Sequence, residues 1–335
     1  MRLKAKLIKI TLILFALILI GVFFIFLTDF SAGKKPVWGV TFSDSYALDL
    51  QLDWQKTYLA ILDDLQVKNV RISAYWDEVE VEKDNYNFDR VDWQLEEASK
   101  RNVNIILSIG RRLPRWPECH DPAWVKHLTP PQANQEVLDV LRTLVERYRD
   151  HRSIVAWQVE NEPLFAWFGF CPPPDADFLK QEVAFVKSLD STRPVIITDS
   201  GELSNWQQAA GVGDVLGTTL YRIVWNKSLG FFDYWFVPSA VYYWKSEFTK
   251  HMHPNLQRII ITEMQMEPWT MNKHMTELTY EEQRQSFNLQ RFKSNIRYAQ
   301  MTGFPEIYLW GAEYWYWLKE NGHPEIWQEA QKIWQ

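Results

Sequence analysis

Cysteine is almost missing from this chain: Cys119 and Cys171 are the only two among 335 residues. Histidine is scarce at seven, with no H-x-x-x-H or Cys/His pattern, and His251 and His253 read as a helix end. No zinc site is expected from such a set, and no metal is assigned. Neither a phosphate loop, a dinucleotide fingerprint nor a nucleophile-elbow serine occurs, so no cofactor is assigned. Beyond residues 10–27 no second apolar run is long enough to cross a bilayer, which excludes a polytopic protein. The sequence has no internal linker and no repeat. Basic charge is also short. Six of the 36 lysines and arginines and one of the 42 acids lie in residues 1–36, which leaves the rest with 30 basic against 41 acidic residues. A body that acidic is a poor partner for nucleic acid.

Tryptophan, by contrast, is abundant, at 18. A tryptophan-rich core with rings at its edge accounts for most of them, but flat aromatic faces also line sugar-binding clefts. At the N-terminus Arg2, Lys4, Lys6 and Lys9 precede an apolar run from Ile10 to Leu27, long enough to span the hydrocarbon core. The chain divides into a basic cytoplasmic tail (1–9), a transmembrane signal anchor (10–27), a polar linker (28–36) and one domain (37–335). The positive-inside rule places that domain outside the cytoplasm, in the periplasm or at the cell surface. A cleaved signal peptide is the alternative, although Thr28-Asp29-Phe30-Ser31-Ala32-Gly33 offers no clean small-x-small site.

From Trp38 onward, strand-like and helix-like segments alternate. The expected strands are Trp38–Phe42, Val70–Ala74, Asn104–Ile109, Ile154–Glu160, Pro194–Thr198, Val215–Leu220, Arg258–Thr262 and Glu306–Trp310. Between them, apolar residues recur at helical spacing, as at Val137, Leu138, Leu141, Leu144, Val145 and Tyr148. One long helix is expected over Tyr280–Thr302, and aromatic loops over 165–174 and 225–238. Eight such alternations define an α/β fold, the (β/α)8 TIM barrel, preceded here by one transmembrane helix.

The most informative stretch runs from Ile154 to Pro163. A buried apolar strand ends there in Glu160-Asn161-Glu162, and Pro163 cannot continue the ladder. Arg258-Ile259-Ile260-Ile261-Thr262-Glu263 ends in the same way. Barrels of this kind carry their chemistry at strand carboxyl ends, and two glutamates on one rim are what glycosidic cleavage by paired carboxylates requires. Glu160 is a rival of Glu162, and Glu267 and Glu313 are weaker ones. Asn161 is placed to bond a sugar hydroxyl, Arg71 and Tyr221 to hold Glu263, and Trp310 to floor the site.

Trp157-Gln158-Val159-Glu160-Asn161-Glu162-Pro163 resembles the strand-four motif of the clan A retaining glycoside hydrolases, which include cellulase-like, β-mannanase-like and β-galactosidase-like barrels. Ile261-Thr262-Glu263 resembles their strand-seven nucleophile motif. Arg71, Asn161, Tyr221 and Trp310 match the clan's supporting positions, and Trp76 with Tyr86-Asn87-Phe88-Asp89 resembles its second βα loop. The resemblance covers nearly all of residues 37–335. It implies that Glu162 is the acid/base, Glu263 the nucleophile, and the outcome retention by double displacement on an oligo- or polysaccharide.

The chain departs from that pattern after the third strand, at Gly110-Arg111-Arg112. Arg111 or Arg112 would meet an anionic sugar, or either would pair with a loop acid. Trp116, Trp167, Trp225, Trp235 and Trp269 are candidate sugar platforms, with packing over the barrel rim as the alternative. Cys119 and Cys171 fall on neighbouring rim loops, so an exported domain would join them; two free thiols are the other option. Two further functions stay open: a transglycosylase using the same glutamates, and a non-catalytic, membrane-anchored carbohydrate-binding protein.

Overall fold

The strands expected from residue 37 onward carry apolar side chains at successive positions, because each is covered on both faces. In the computed structural model, which describes residues 10–11, 13–15, 21, 24–228, 230–271 and 273–335, they close into a parallel barrel. Its strands are β1 (Val37–Thr41), β2 (Asn69–Ser73), β3 (Asn104–Ile109), β4 (Ile154–Val159), β5 (Val195–Asp199), β6 (Val215–Leu220), β7 (Arg258–Gln265) and β8 (Glu306–Trp310). They follow one another around the barrel, and β8 pairs back onto β1, Val37 opposite Glu306. Ile106, Ala156, Ile196, Val215, Ile260 and Tyr308, one each from β3 to β8, pack together in the lumen. Their chain neighbours, such as Ile105 and Leu107, point outward and join the larger core under the helices, as the two-residue period of a strand requires.

Three elements depart from expectation. β7 extends three residues past Thr262, because Glu263 and Met264 pair with Thr219 and Leu220 of β6. The expected helix over 280–302 is two helices, Tyr280–Ser286 and Leu289–Met301. Phe287 turns into the core at the break, and the Asn288 side chain caps the second helix by accepting from the Arg291 N–H at 3.0 Å. The expected aromatic loop after β6 contains an antiparallel hairpin, Ile223–Asn226 against Gly230–Asp233.

The expected tail (1–9) and most of the expected anchor (10–27) lie outside the described residues. Among the described residues no helix is long and apolar enough to cross a membrane. The linker is docked on the barrel. The Phe30 N–H donates to Met301 O at 3.0 Å, and its ring stacks on Tyr243 with centroids 4.1 Å apart.

Candidate active site

A bulge aims Glu263. Across β6 and β7, Thr218 faces Ile261 but Thr219 faces Glu263, so Thr262 is an extra residue on β7. Ile260 lies in the lumen, while Ile261 and Met264 belong to the outer core. Without the bulge, Glu263 would share the outward face with Ile261; the extra residue turns it inward.

There it meets Arg71 from β2. The Arg71 guanidinium is fully buried and divides its donors between the ends of β4 and β7. Nη1 reaches Glu263 Oε1 at 2.9 Å and Thr262 O at 3.2 Å, Nη2 reaches Asn161 Oδ1 at 2.8 Å, and Nε reaches Gln158 Oε1 at 2.7 Å. The Tyr221 hydroxyl donates to the other Glu263 oxygen at 3.2 Å. Asn161 Oδ1 also accepts from Thr198 Oγ1 at 3.1 Å, and Thr198 in turn accepts the Glu162 N–H at 2.8 Å. Five of the residues singled out in the sequence, Arg71, Asn161, Glu162, Tyr221 and Glu263, therefore belong to one connected group. Glu160 and Glu162 both have left-handed backbone, φ +60° and +44°, a costly conformation for residues with a Cβ that is concentrated at functional sites.

The rival Glu160 has a different task. Its carboxylate accepts the N–H groups of Arg111 and Arg112, at 2.7 and 2.6 Å, and so ties the start of the β3 loop to the end of β4. A Cβ at Gly110, φ +123°, would sit 2.1 Å from Glu160 Oε1, so this crossing requires glycine. Glu162 is buried without such backbone donors. Burial raises its pKa well above the ordinary carboxyl value, and the charges of Glu263, Glu118 and Glu202 raise it further.

Sequence reasoning missed the contribution of the β3 loop. The loop carries Arg115 and Glu118 over the barrel mouth and is held there by a Cys119–Cys171 disulfide, Cα–Cα 5.2 Å. Gly169 permits the close approach of the two loops, since a Cβ there would lie 2.7 Å from that of Glu118. Glu118 accepts from Asn161 Nδ2 at 3.4 Å. Burial, followed by the nearby Glu263, pushes its pKa up to about 8. The Arg115 guanidinium lies between the rings of Tyr46 and Trp310, 3.6 and 4.0 Å from their centroids, and pairs with Glu267 and Glu313.

Trp310 is therefore not the bare floor expected. Arg115 covers its ring, and its Nε1 donates to Glu267 at 2.8 Å. Glu267 and Glu313, the weaker rivals, are buried partners of Arg115. Neither Arg111 nor Arg112 lines the cleft at the barrel mouth. Arg111 pairs with Asp121 at 2.8 Å, and Arg112 donates to Phe165 O and Phe168 O while its Nε lies 3.9 Å from Glu118. Both line a separate cavity of about 370 Å³ together with Glu160 and Glu182.

A cleft of about 600 Å³ opens above the group, lined by Trp116, Trp269, Trp310, Tyr221, Arg115, Glu118 and Glu267 among others. Glu162 and Glu263 are not among its lining residues; Glu263 is reached from it through the Tyr221 hydroxyl. Of the five candidate platforms, Trp116 and Trp269 border this cleft. Trp167 and Trp235 are exposed on outer loops, and Trp225 is half-buried in the hairpin. Among the described residues no group of three His, Cys, Asp or Glu is placed to hold a metal ion.

A closed (β/α)8 barrel whose strand ends join a buried arginine, an asparagine and two glutamates is of the glycoside hydrolase class. Residues 55–319 match the profile of the glycosyl hydrolases family 2, TIM barrel domain, and the chain belongs to that family. Among solved structures it is similar to the cold-adapted β-galactosidase of Rahnella sp. R3, with TM-score 0.57, 12% identity, and coverage of 91% of this chain and 56% of that one. It is also similar to GH5_18 from Streptomyces cattleya, solved in complex with GlcNAc, with TM-score 0.58, 15% identity, and coverage of 83% and 70%. At these identities the likeness is one of fold, and the chain spans little more than half of the Rahnella enzyme. No curated protein matches it.

Proposed function

We propose that the protein is a retaining β-glycosidase acting on extracytoplasmic oligo- or polysaccharides by double displacement. Glu263 attacks the anomeric carbon and forms a glycosyl-enzyme ester. Glu162 first gives its proton to the leaving oxygen and then takes one from the water that cleaves the ester. The observation that carries this reading is the unequal treatment of the two carboxyls. Arg71 and Tyr221 bond both oxygens of Glu263 as an anion, whereas burial and neighbouring acids favour the protonated form of Glu162. One acid and one nucleophile at neutral pH require that division. Asn161, held by Arg71 and Thr198, is the hydrogen-bonding partner for a sugar hydroxyl. The proposal keeps the basic tail 1–9, the anchor 10–27 and the linker 28–36, which the four basic residues ahead of an 18-residue apolar run support.

A panel of aryl glycosides tests the assignment. Glu263→Gln should abolish turnover with every leaving group. Glu162→Gln should lose about 10²–10⁴-fold, and less with activated leaving groups, because general-acid help is then less needed. An activated aryl glycoside hydrolysed equally well by both variants would sink the assignment.

A further inference from the structure

The helix Ser239–Met252, which follows β6 and the hairpin, has two unlike faces. Ala240, Tyr242, Ser246 and Thr249 are buried against the barrel. The opposite face carries Val241, Trp244, Phe248 and Met252, exposed by 48, 63, 57 and 54%. Their spacing of three, four and four residues places them in one stripe about 80° wide at 100° per residue. A run of four large apolar side chains left to water on one surface helix marks a contact surface rather than scatter. Polar residues flank it on both edges: His251 and Glu247 on one, and on the other Lys245, whose Nζ turns back to donate to Gly201 O and Ser204 O at 2.8 and 2.6 Å.

The described end of the apolar N-terminal run leads to this helix. Phe30 stacks on Tyr243 and meets Trp244 edge-on at 6.3 Å, and Asp29 pairs with Arg297 on the neighbouring helix. Through Phe30 the exposed stripe adjoins the linker that follows the segment read above as a membrane anchor, and it holds a tryptophan, a residue enriched at membrane interfaces.

We propose that the outer face of Ser239–Met252 lies in the interfacial layer of the same lipid bilayer that holds residues 10–27. The occupant is lipid, and the proposal rests on the anchor reading. Helices of this fold run alongside the strands, so seating this one on a bilayer lays the barrel axis near the membrane plane. The cleft then opens along the surface rather than away from it. An apolar stripe flanked by polar residues is the pattern of a helix that lies on a membrane.

The test uses the full chain in phosphatidylcholine–phosphatidylglycerol vesicles. Both native cysteines are paired, so an introduced cysteine takes an environment-sensitive fluorophore. Val241→Cys and Phe248→Cys are compared with Glu96→Cys on the helix after β2, across the barrel. Emission at positions 241 and 248 should shift to the blue on vesicle binding, and nitroxide-bearing acyl chains should quench it several-fold more than at 96. Adding Trp244→Glu to Val241→Cys should reduce that quenching without changing hydrolysis of a soluble aryl glycoside. Sedimentation with vesicles but equal quenching at all three positions would overturn the proposal and leave the anchor standing. Blue-shifted emission at 241 and 248 before vesicles are added would also overturn it, because protein and not lipid would then cover the stripe. A chain that fails to sediment with vesicles at all would remove the anchor reading and this proposal with it.

Discussion

Glu162 and Glu118 are both carboxyls that the fold holds toward the protonated form, and the consequences differ. In the proposed mechanism Glu162 must keep its proton until the leaving group departs. Because its pKa lies above the ordinary carboxyl value, activity should persist toward neutral pH and fall as the pH rises through that raised value. The alkaline limb of kcat/KM reports this group, so Glu162→Gln should remove that limb while leaving the acid limb in place. Glu118, from the β3 loop, shows its effect in stability. Its pKa is pushed from 4.5 up to about 8 in the folded chain. Between those values the native state binds a proton that the unfolded chain has released, so this contribution to stability declines as the pH climbs through the window. Glu118→Gln should flatten the decline, read as a smaller drop in Tm between mildly acid and mildly alkaline buffer. An unchanged slope would mean that Glu118 is ionised in the native state.

Among the elements, the β3 loop shapes the site most. It spans from Gly110 to the helix Ala123–His127 and is tied down twice, by the Glu160 carboxylate at its start and by Cys171 near its end. Replacing both cysteines with serine should cost about 2–4 kcal/mol of stability by the usual effect of a native disulfide. It should also lower activity more than the melting temperature alone explains, because Arg115 and Glu118 depend on the loop for their positions. Thermal melts alongside aryl-glycoside kinetics would separate the two effects. The strand ends themselves were legible in the sequence. The run from Ile154 to Pro163 shows a buried strand stopping at a proline; Asn161 and Tyr221 lie just past apolar strands, and Arg71 and Glu263 are readable as lone charges in or closing apolar runs. Arg115 and Glu118 have no such marker. They lie between Pro114 and Cys119 in a stretch without periodicity, and only loop closure brings them above Asn161 and against Trp310. The task of Glu160, which ties down the start of the β3 loop, was equally hidden, since it depends on contacts between residues 49 and 48 positions apart.

For the molecule as a whole, polarity along the barrel axis matters most. The linker enters at Val37, the amino end of β1, while the glutamates sit at the carboxyl ends of β4 and β7. The entry of the linker and the two glutamates are therefore separated by the length of the barrel. A chain beginning at Asp29 keeps the Phe30 contacts with Tyr243 and Met301. It should hydrolyse a soluble aryl glycoside at the rate of the full chain but sediment with lipid vesicles far less, held only by the outer face of Ser239–Met252. A lower rate would show that the barrel needs the apolar segment to fold.

Alternation of apolar strands and amphipathic helices was enough, in the sequence alone, to specify a barrel and to place two glutamates on its rim, because burial on both faces leaves a local pattern. Tertiary structure alone decided which side chains share the mouth with them. The bulge that turns Glu263 inward, the guanidinium covering Trp310 and the third acid beside Asn161 all arise from contacts between residues far apart in the chain, and such contacts leave no periodicity to read.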